Sequence, residues 1–421
     1  MKMLFSPLVL LALAAAAFGV AVLAADLGIA AWQFGPDYVR RLVLWQHPSP
    51  LDRQRFPVRA IAAPAVPSPL PRAPEGAAAV AEAFGRIGGA AWTGARLPET
   101  LAQAGTNTLL VLRDGRLAYA AYLNGHGPRS PQNSFSVAKS VTSLLVGAAI
   151  GDGLLPPPDS PAETLLPEVP GLRGSGVTLR HLLDMQSGFA LDNRWPLGPL
   201  SLPWRAAQRM HFAPDLRAVA AAVRPEVGPG ERFLYDDRNA MLLGMALARA
   251  SGETPSGFLE RRLWRPMGAA CPAEWILDSN AQGFEKMESG IAACAEDYLR
   301  IGALVLRGGV LANGTRLLPA DWIAGLGQAA TAPEGAPGYG LLWWSFANPA
   351  GPPDIFASGL FGQVLYVSRA RGMVLLRTGD RTGELDWPAL LQRLSRALSE
   401  GEPPAQSHAQ SHAQPAAGEA G

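Results

Sequence analysis

Ser136 and Lys139 stand three residues apart at the head of an apolar run, a spacing that puts a hydroxyl and an amine on one face of a helix. A serine hydroxyl is a poor nucleophile until a base takes its proton. A lysine serves as that base only when burial or a nearby cation lowers its pKa. Val137, Val141, Leu144, Leu145 and Ala148 recur at helical spacing and bury this face, so the expectation is a desolvated Lys139 with a lowered pKa. Ser136 would open the helix, whose N-terminus offers partial positive charge to a developing oxyanion. A Ser-x-x-Lys tetrad alone is weak evidence, because a capped helix with a solvated lysine has the same pattern.

The elements that must hold this pair are legible in the chain order. Residues 106–112 and 116–123 are β-rich runs around Asp114-Gly115, the signal of a hairpin ahead of the Ser136 helix. Pro156-Pro157-Pro158 stops that helix, and Thr178 caps a second one over 177–183 that Ser187-Gly188 closes. Residues 189–212 carry Trp195, Trp204 and three prolines with little periodicity, which reads as a loop covering a site or a surface insertion. Tyr235 enters a helix over 240–250, and 255–264 and 295–307 read as further helices. From Gly338 the pattern returns to short strands, followed by a helix over 387–398. The predicted fold is α/β of the α+β type: an antiparallel sheet built from N- and C-terminal strands, flanked by helices, with an inserted mainly helical subdomain.

Composition narrows the function classes. The 421 residues carry 36 basic and 35 acidic side chains, a net charge of +1, which excludes an electrostatic footprint for nucleic acid. Residues 4–25 are uncharged and follow Lys2, as in a long secretory signal or a membrane helix; either exports the rest to a periplasmic or other extracytoplasmic location. Val22-Leu23-Ala24 resembles a cleavage site, but apolar residues resume through Trp32, so 1–31 is read as an uncleaved anchor through which the protein meets a membrane. Residues 32–79, rich in Pro and Ala at the end, read as an extended arm or linker, 80–400 as the folded domain, and 401–421 as a disordered tail. Cys271 and Cys294 are expected as two separate buried residues, since spacing does not establish a bridge. No histidine or cysteine cluster has metal-ligand spacing, and no metal or other cofactor is expected.

Taken together, Ser136-Val137-Ala138-Lys139, the run Val177 to Gly188, the Pro-Gly-x-x-Phe-x-Tyr run ending at Tyr235, and Gly338-Tyr339-Gly340 with two tryptophans resemble the serine β-lactamase and penicillin-binding-protein superfamily. Within it the chain is similar to the class C-like branch that includes carboxylesterases and 6-aminohexanoate-dimer hydrolases. The resemblance implies that Ser136 is acylated, that Lys139 assists its deprotonation, and that Tyr235 is the general acid/base. It also implies an oxyanion hole made by the backbone N–H groups of Ser136 and Leu360, with Asp237, Ser358 and Gly359 beside the substrate.

Two positions depart from the pattern. Asp237 stands where an amide is usual, and Ala357-Ser358-Gly359 lacks the cation that would hold a β-lactam or peptide carboxylate. The expected function is hydrolysis of a small ester or amide through an acyl-enzyme. Cell-wall peptide or β-lactam hydrolysis, and a non-catalytic tethered binding module, are the alternatives. No Gly-x-Ser-x-Gly elbow offers a nucleophile for a Ser-His-Asp design. His181 reads as a packed structural residue, His211 as a surface histidine.

Overall fold

The computed structural model describes residues 7–94, 96–191, 206–328, 337–348 and 351–400. Among them the strands are β1 (Val58–Ile61), β2 (Thr106–Arg113), β3 (Arg116–Tyr122), β4 (Pro131–Asn133), β5 (Ala273–Ile276), β6 (Ile291–Cys294), β7 (Gly338–Gly340), β8 (Trp343–Phe346), β9 (Asp354–Gly359), β10 (Gln363–Ser368) and β11 (Met373–Gly379). Asp114 and Gly115 both take positive φ, 49° and 76°. That turn matches the right-handed twist of the strands it joins, so β2 and β3 pair as the sequence predicts.

Seven strands form one sheet in the order β3-β2-β11-β10-β9-β8-β7. Every neighbouring pair is antiparallel, and strands from the two ends of the chain meet where β2 pairs with β11. The central strands read as continuous apolar runs because both faces are covered. Leu110, Leu112, Leu365, Val367, Val374 and Leu376 face one core, with the helices Val137–Gly151 and Ala295–Leu306. The alternate residues Leu109, Val111, Val364, Tyr366 and Leu375 face the other, under Gly76–Gly88 and Trp387–Glu400. The mixed fold predicted from the sequence is the one found.

A second sheet, β1-β5-β6-β4, was not foreseen. Its strands are three or four residues long, too short to show periodicity, and two lie inside the stretch read as helical. The expectation of an extended arm over 32–79 is corrected here. Pro36–Trp45 and Asp52–Arg55 are helices and β1 pairs with β5. Tyr38, Leu42, Phe56 and Ile61 are buried in the main core, and Arg41 donates to the carbonyls of Phe212 (3.1 Å) and Asp278 (2.7 Å). These contacts are all to distant parts of the chain, which local composition does not reveal.

Cys271 and Cys294 form a disulfide, in place of the two separate thiols expected. The antiparallel pairing of β5 with β6 brings the start of one strand beside the end of the other, a proximity that spacing alone does not encode. Ahead of the body, Pro7–Phe34 is one helix, long and apolar enough to cross a membrane. Its N-terminal part is exposed, while Asp26 and Ala30, one turn apart, are buried against the body. The expected tail 401–421 lies outside the described residues.

Candidate active site

The nucleophile candidate sits where β4 runs into the helix Val137–Gly151. Ser134 N–H donates to Ile291 O (2.7 Å) and Ile291 N–H to Ser134 Oγ (3.1 Å), which ties this corner to β6. Phe135 then takes φ 45°, and Ser136 is already helical at φ −64° and ψ −5°. A helical Ser136 cannot cap as an N-cap serine does, and its hydroxyl makes no cap bond. Instead Ser136 Oγ accepts from Lys139 Nζ at 2.9 Å, the i, i+3 meeting that the spacing predicts.

Lys139 is fully buried and its ammonium is saturated. Besides Ser136, Nζ donates to Glu288 O at 2.9 Å and lies 2.8 Å from Asp237 Oδ1. The expected lowering of its pKa is not found. Burial does push the ammonium down, but Asp237, Tyr235 and Glu288 outweigh it and hold Lys139 well above the ordinary lysine value. The departure at Asp237 noted in the sequence is therefore the charge that keeps Lys139 a cation. Tyr235 presents its ring to that cation, with Nζ 4.9 Å from the centroid, and stacks on Trp344 at 5.7 Å.

Across from Ser136 lies the end of β9. A Cβ on Gly359 would sit 2.5 Å from Ser134 O and 3.1 Å from Ser136 N, so only glycine lets the two backbones approach this closely. Leu360 follows, then Phe361 at φ 63°, and the rings of Phe135 and Phe361 meet edge to face at 5.1 Å. Each candidate N–H donor, Ser136 and Leu360, thus has a left-handed phenylalanine next to it in the chain. Such strain, about 1–3 kcal/mol per residue, persists where the surroundings over-determine the backbone.

Two cavities share Ser136, Tyr235 and Leu360. One, of about 310 Å³, is walled by Ala206, Met210, His211, Asp237 and Glu288. The other, of about 520 Å³, runs along Trp344, Phe346 and Phe356 and reaches Ser358 and Gly359. Among the described residues lining either one there is no lysine or arginine. Ala357, the position where a cation was missed, is fully buried in the core. The structure therefore brings Ser136, Lys139, Tyr235, Asp237, Ser358, Gly359 and Leu360 to one place. Chemically it provides a hydroxyl in contact with a fixed cation, a phenol beside that cation, and a pinched backbone pair aimed at an incoming carbonyl.

Residues set aside earlier sort differently. His181 Nδ1 accepts from Thr178 N–H (3.1 Å), a capping interaction outside both cavities. Trp343 is core, Trp344 lines a cavity, and Trp195 and Trp204 lie outside the described residues. His211 is not the surface histidine expected. It is buried, lines the smaller cavity, lies 3.1 Å from Asp52 Oδ2, and has its pKa lowered chiefly by burial. Glu288 and Lys286 were missed entirely. Both are buried in the segment before β6, where charged residues inside an apolar stretch were the available signal.

Comparison with known proteins agrees with this geometry. Residues 78–392 match the family described as Beta-lactamase. The chain is 27% identical over 311 residues to the 6-aminohexanoate-dimer hydrolase of Paenarthrobacter ureafaciens, covering 69% of this chain and 75% of that one. Among solved structures it resembles a Bacillus anthracis protein assigned as a 6-aminohexanoate-dimer hydrolase, with TM-score 0.66, 20% identity, and 83% and 92% of the two chains covered. It also resembles a family VIII carboxylesterase, with TM-score 0.58, 16% identity, and 82% and 100% covered.

Proposed function

The chain belongs to the beta-lactamase family, and from that premise we propose that it is a serine hydrolase cleaving a small ester or amide through an acyl-enzyme on Ser136. The observation that carries this reading is the 2.9 Å contact between Lys139 Nζ and Ser136 Oγ at the junction of two cavities. In the resting site Lys139 is a cation held by Asp237, so it stabilises the alkoxide forming on Ser136. Tyr235 completes the acid/base pair: as Ser136 attacks, Tyr235 takes its proton and passes its own to the departing oxygen or nitrogen. The backbone N–H groups of Ser136 and Leu360 receive the oxyanion. Water then repeats the sequence in reverse and releases the acid.

The names of the relatives, an amide-dimer hydrolase and a carboxylesterase, favour small ester or amide substrates. Cavities without a lysine or arginine give a β-lactam or peptide carboxylate no counter-ion, which disfavours cell-wall chemistry. The apolar helix Pro7–Phe34 and the Cys271–Cys294 disulfide suit an exported, membrane-anchored protein in an oxidising compartment. Intact-mass spectrometry after exposure to a fluorophosphonate, a p-nitrophenyl ester and a penicillin tests the reading. Phosphonyl or acyl adducts absent from Ser136→Ala are expected. A folded protein that no probe labels would instead be a binding module on this fold.

A further inference from the structure

Glu288 is buried to 3% exposure on the wall of the smaller cavity, yet its carboxylate is only half engaged. Oε1 accepts from Ser289 Oγ at 2.9 Å; Oε2 has no hydrogen-bond partner among the described residues. Its nearest cation, Lys286, is 3.6 Å from Oε1 and donates to the carbonyl of His211 at 2.6 Å instead. The neighbouring carboxylates are better served. Asp237 is paired with Lys139, and Arg238 bonds both oxygens of Asp236. The same residue also holds the site together through its main chain, because Glu288 O accepts from Lys139 Nζ. A buried carboxylate oxygen without a donor carries a desolvation penalty that a cationic N–H from outside would relieve.

We propose that the cavity shared by Ser136 and Glu288 is a subsite for a protonated primary amine carried by the substrate, with Glu288 Oε2 as the acceptor. The proposal rests on the hydrolase reading only for the word substrate; amine binding itself needs no turnover. At about 310 Å³ the cavity is at the small end of ligand pockets, and apart from its acidic floor the wall is largely Leu191, Ala206, Ala207 and Met210. A short aliphatic chain ending in an ammonium matches both features: methylenes against the alanines and Met210, charge on Glu288. A compact ammonium, with three donors, also meets one carboxylate oxygen without the planar fork that a guanidinium brings.

The test is calorimetric titration of the full chain at pH 7 with n-pentylammonium and with n-pentanol, in the parent protein, Glu288→Gln and Ser136→Ala. The amine should bind about tenfold tighter than the alcohol, or more, in the parent and in Ser136→Ala. The advantage should vanish in Glu288→Gln. Equal affinity for the two probes in the parent, or an advantage that survives Glu288→Gln, overturns the proposal. Should Glu288→Gln not fold, Ala207→Lys puts an ammonium on the same wall, and amine binding that persists there overturns it equally. In parallel, p-nitroanilides of 5-aminopentanoate and hexanoate, equal in chain length, should show the same preference in kcat/KM. Amine binding without turnover of either anilide or of any ester sinks the hydrolase reading and leaves the subsite standing.

Discussion

Lys139 Nζ lies 2.8 Å from Asp237 Oδ1 and 2.9 Å from Ser136 Oγ, so one buried ammonium joins the candidate nucleophile to a carboxylate. Asp237 opens the helix Asp237–Ser251, a hundred residues after Ser136, and reaches Lys139 only because that helix packs on Val137–Gly151. The carboxylate decides the charge of the site. With it, Lys139 is a fixed cation that stabilises an alkoxide; without it, burial alone would drive the amine towards neutrality.

Replacing the nucleophile should separate chemistry from stability. Ser136→Ala removes the acceptor of one of three Lys139 hydrogen bonds and is expected to fold. Ester turnover should fall by about 10³-fold or more. The check is steady-state kinetics beside a thermal melt; residual turnover within tenfold of the parent would move the chemistry to another residue.

Asp237→Asn tests the ion pair through its pH dependence. In the folded state the Lys139 pKa is raised above its unfolded value, so the pair stabilises the protein fully below about pH 10.4 and loses that contribution as pH rises through the folded value. The amide should lower stability at pH 7 by about 3 kcal/mol, because a buried partner is left behind. It should also shift the Lys139 limb of the kcat/KM profile to lower pH. Denaturant melts and a pH series measure both, and an unmoved limb would show that Asp237 does not govern Lys139.

Gly359→Ala probes the pinch behind the candidate oxyanion hole. Its Cβ would meet Ser134 O at 2.5 Å, so backbone must move. We expect a loss of about 2 kcal/mol in stability and a larger proportional loss in acylation rate, read by stopped-flow with an activated ester. Equal acylation would mean that the strand end does not position the reacting carbonyl.

The disulfide should matter to stability and not to chemistry. Cys271 and Cys294 are 23 residues apart in sequence, and closing a loop of that size is worth about 3 kcal/mol. Cys271→Ser should lower the melting temperature, and a reductant should lower that of the parent and leave the variant unmoved. An unchanged melting temperature in the variant would overturn this expectation.

The fold was legible where periodicity is local. The Asp114-Gly115 hairpin, the helices Val137–Gly151 and Ala295–Leu306, and the strands after Gly338 all carry their pattern within a few residues. The small sheet was not, because β1, β4, β5 and β6 are too short to alternate visibly and exist only as partners of one another. In the site, Ser136 and Lys139 could be read from spacing because a helix turns the interval of three into contact. Tyr235, Leu360 and Gly359 were found only through the order of motifs. Glu288 and His211 had no motif at all.

What the sequence determined by itself was the identity of the reactive groups and the local geometry that couples two of them. Ser-x-x-Lys at a helix start puts hydroxyl beside amine whatever surrounds it. Only the tertiary structure decided their charge, their counter-ion and their surroundings. The sequence analysis expected burial to neutralise Lys139, and burial does push that way. Asp237 from another helix reverses the outcome, because at 2.8 Å in a buried site Coulomb attraction exceeds the desolvation penalty. The same holds for the disulfide and for the cavity that Glu288 floors. Each is a meeting of residues distant in the chain, and such meetings follow from packing the whole core, which no local pattern encodes.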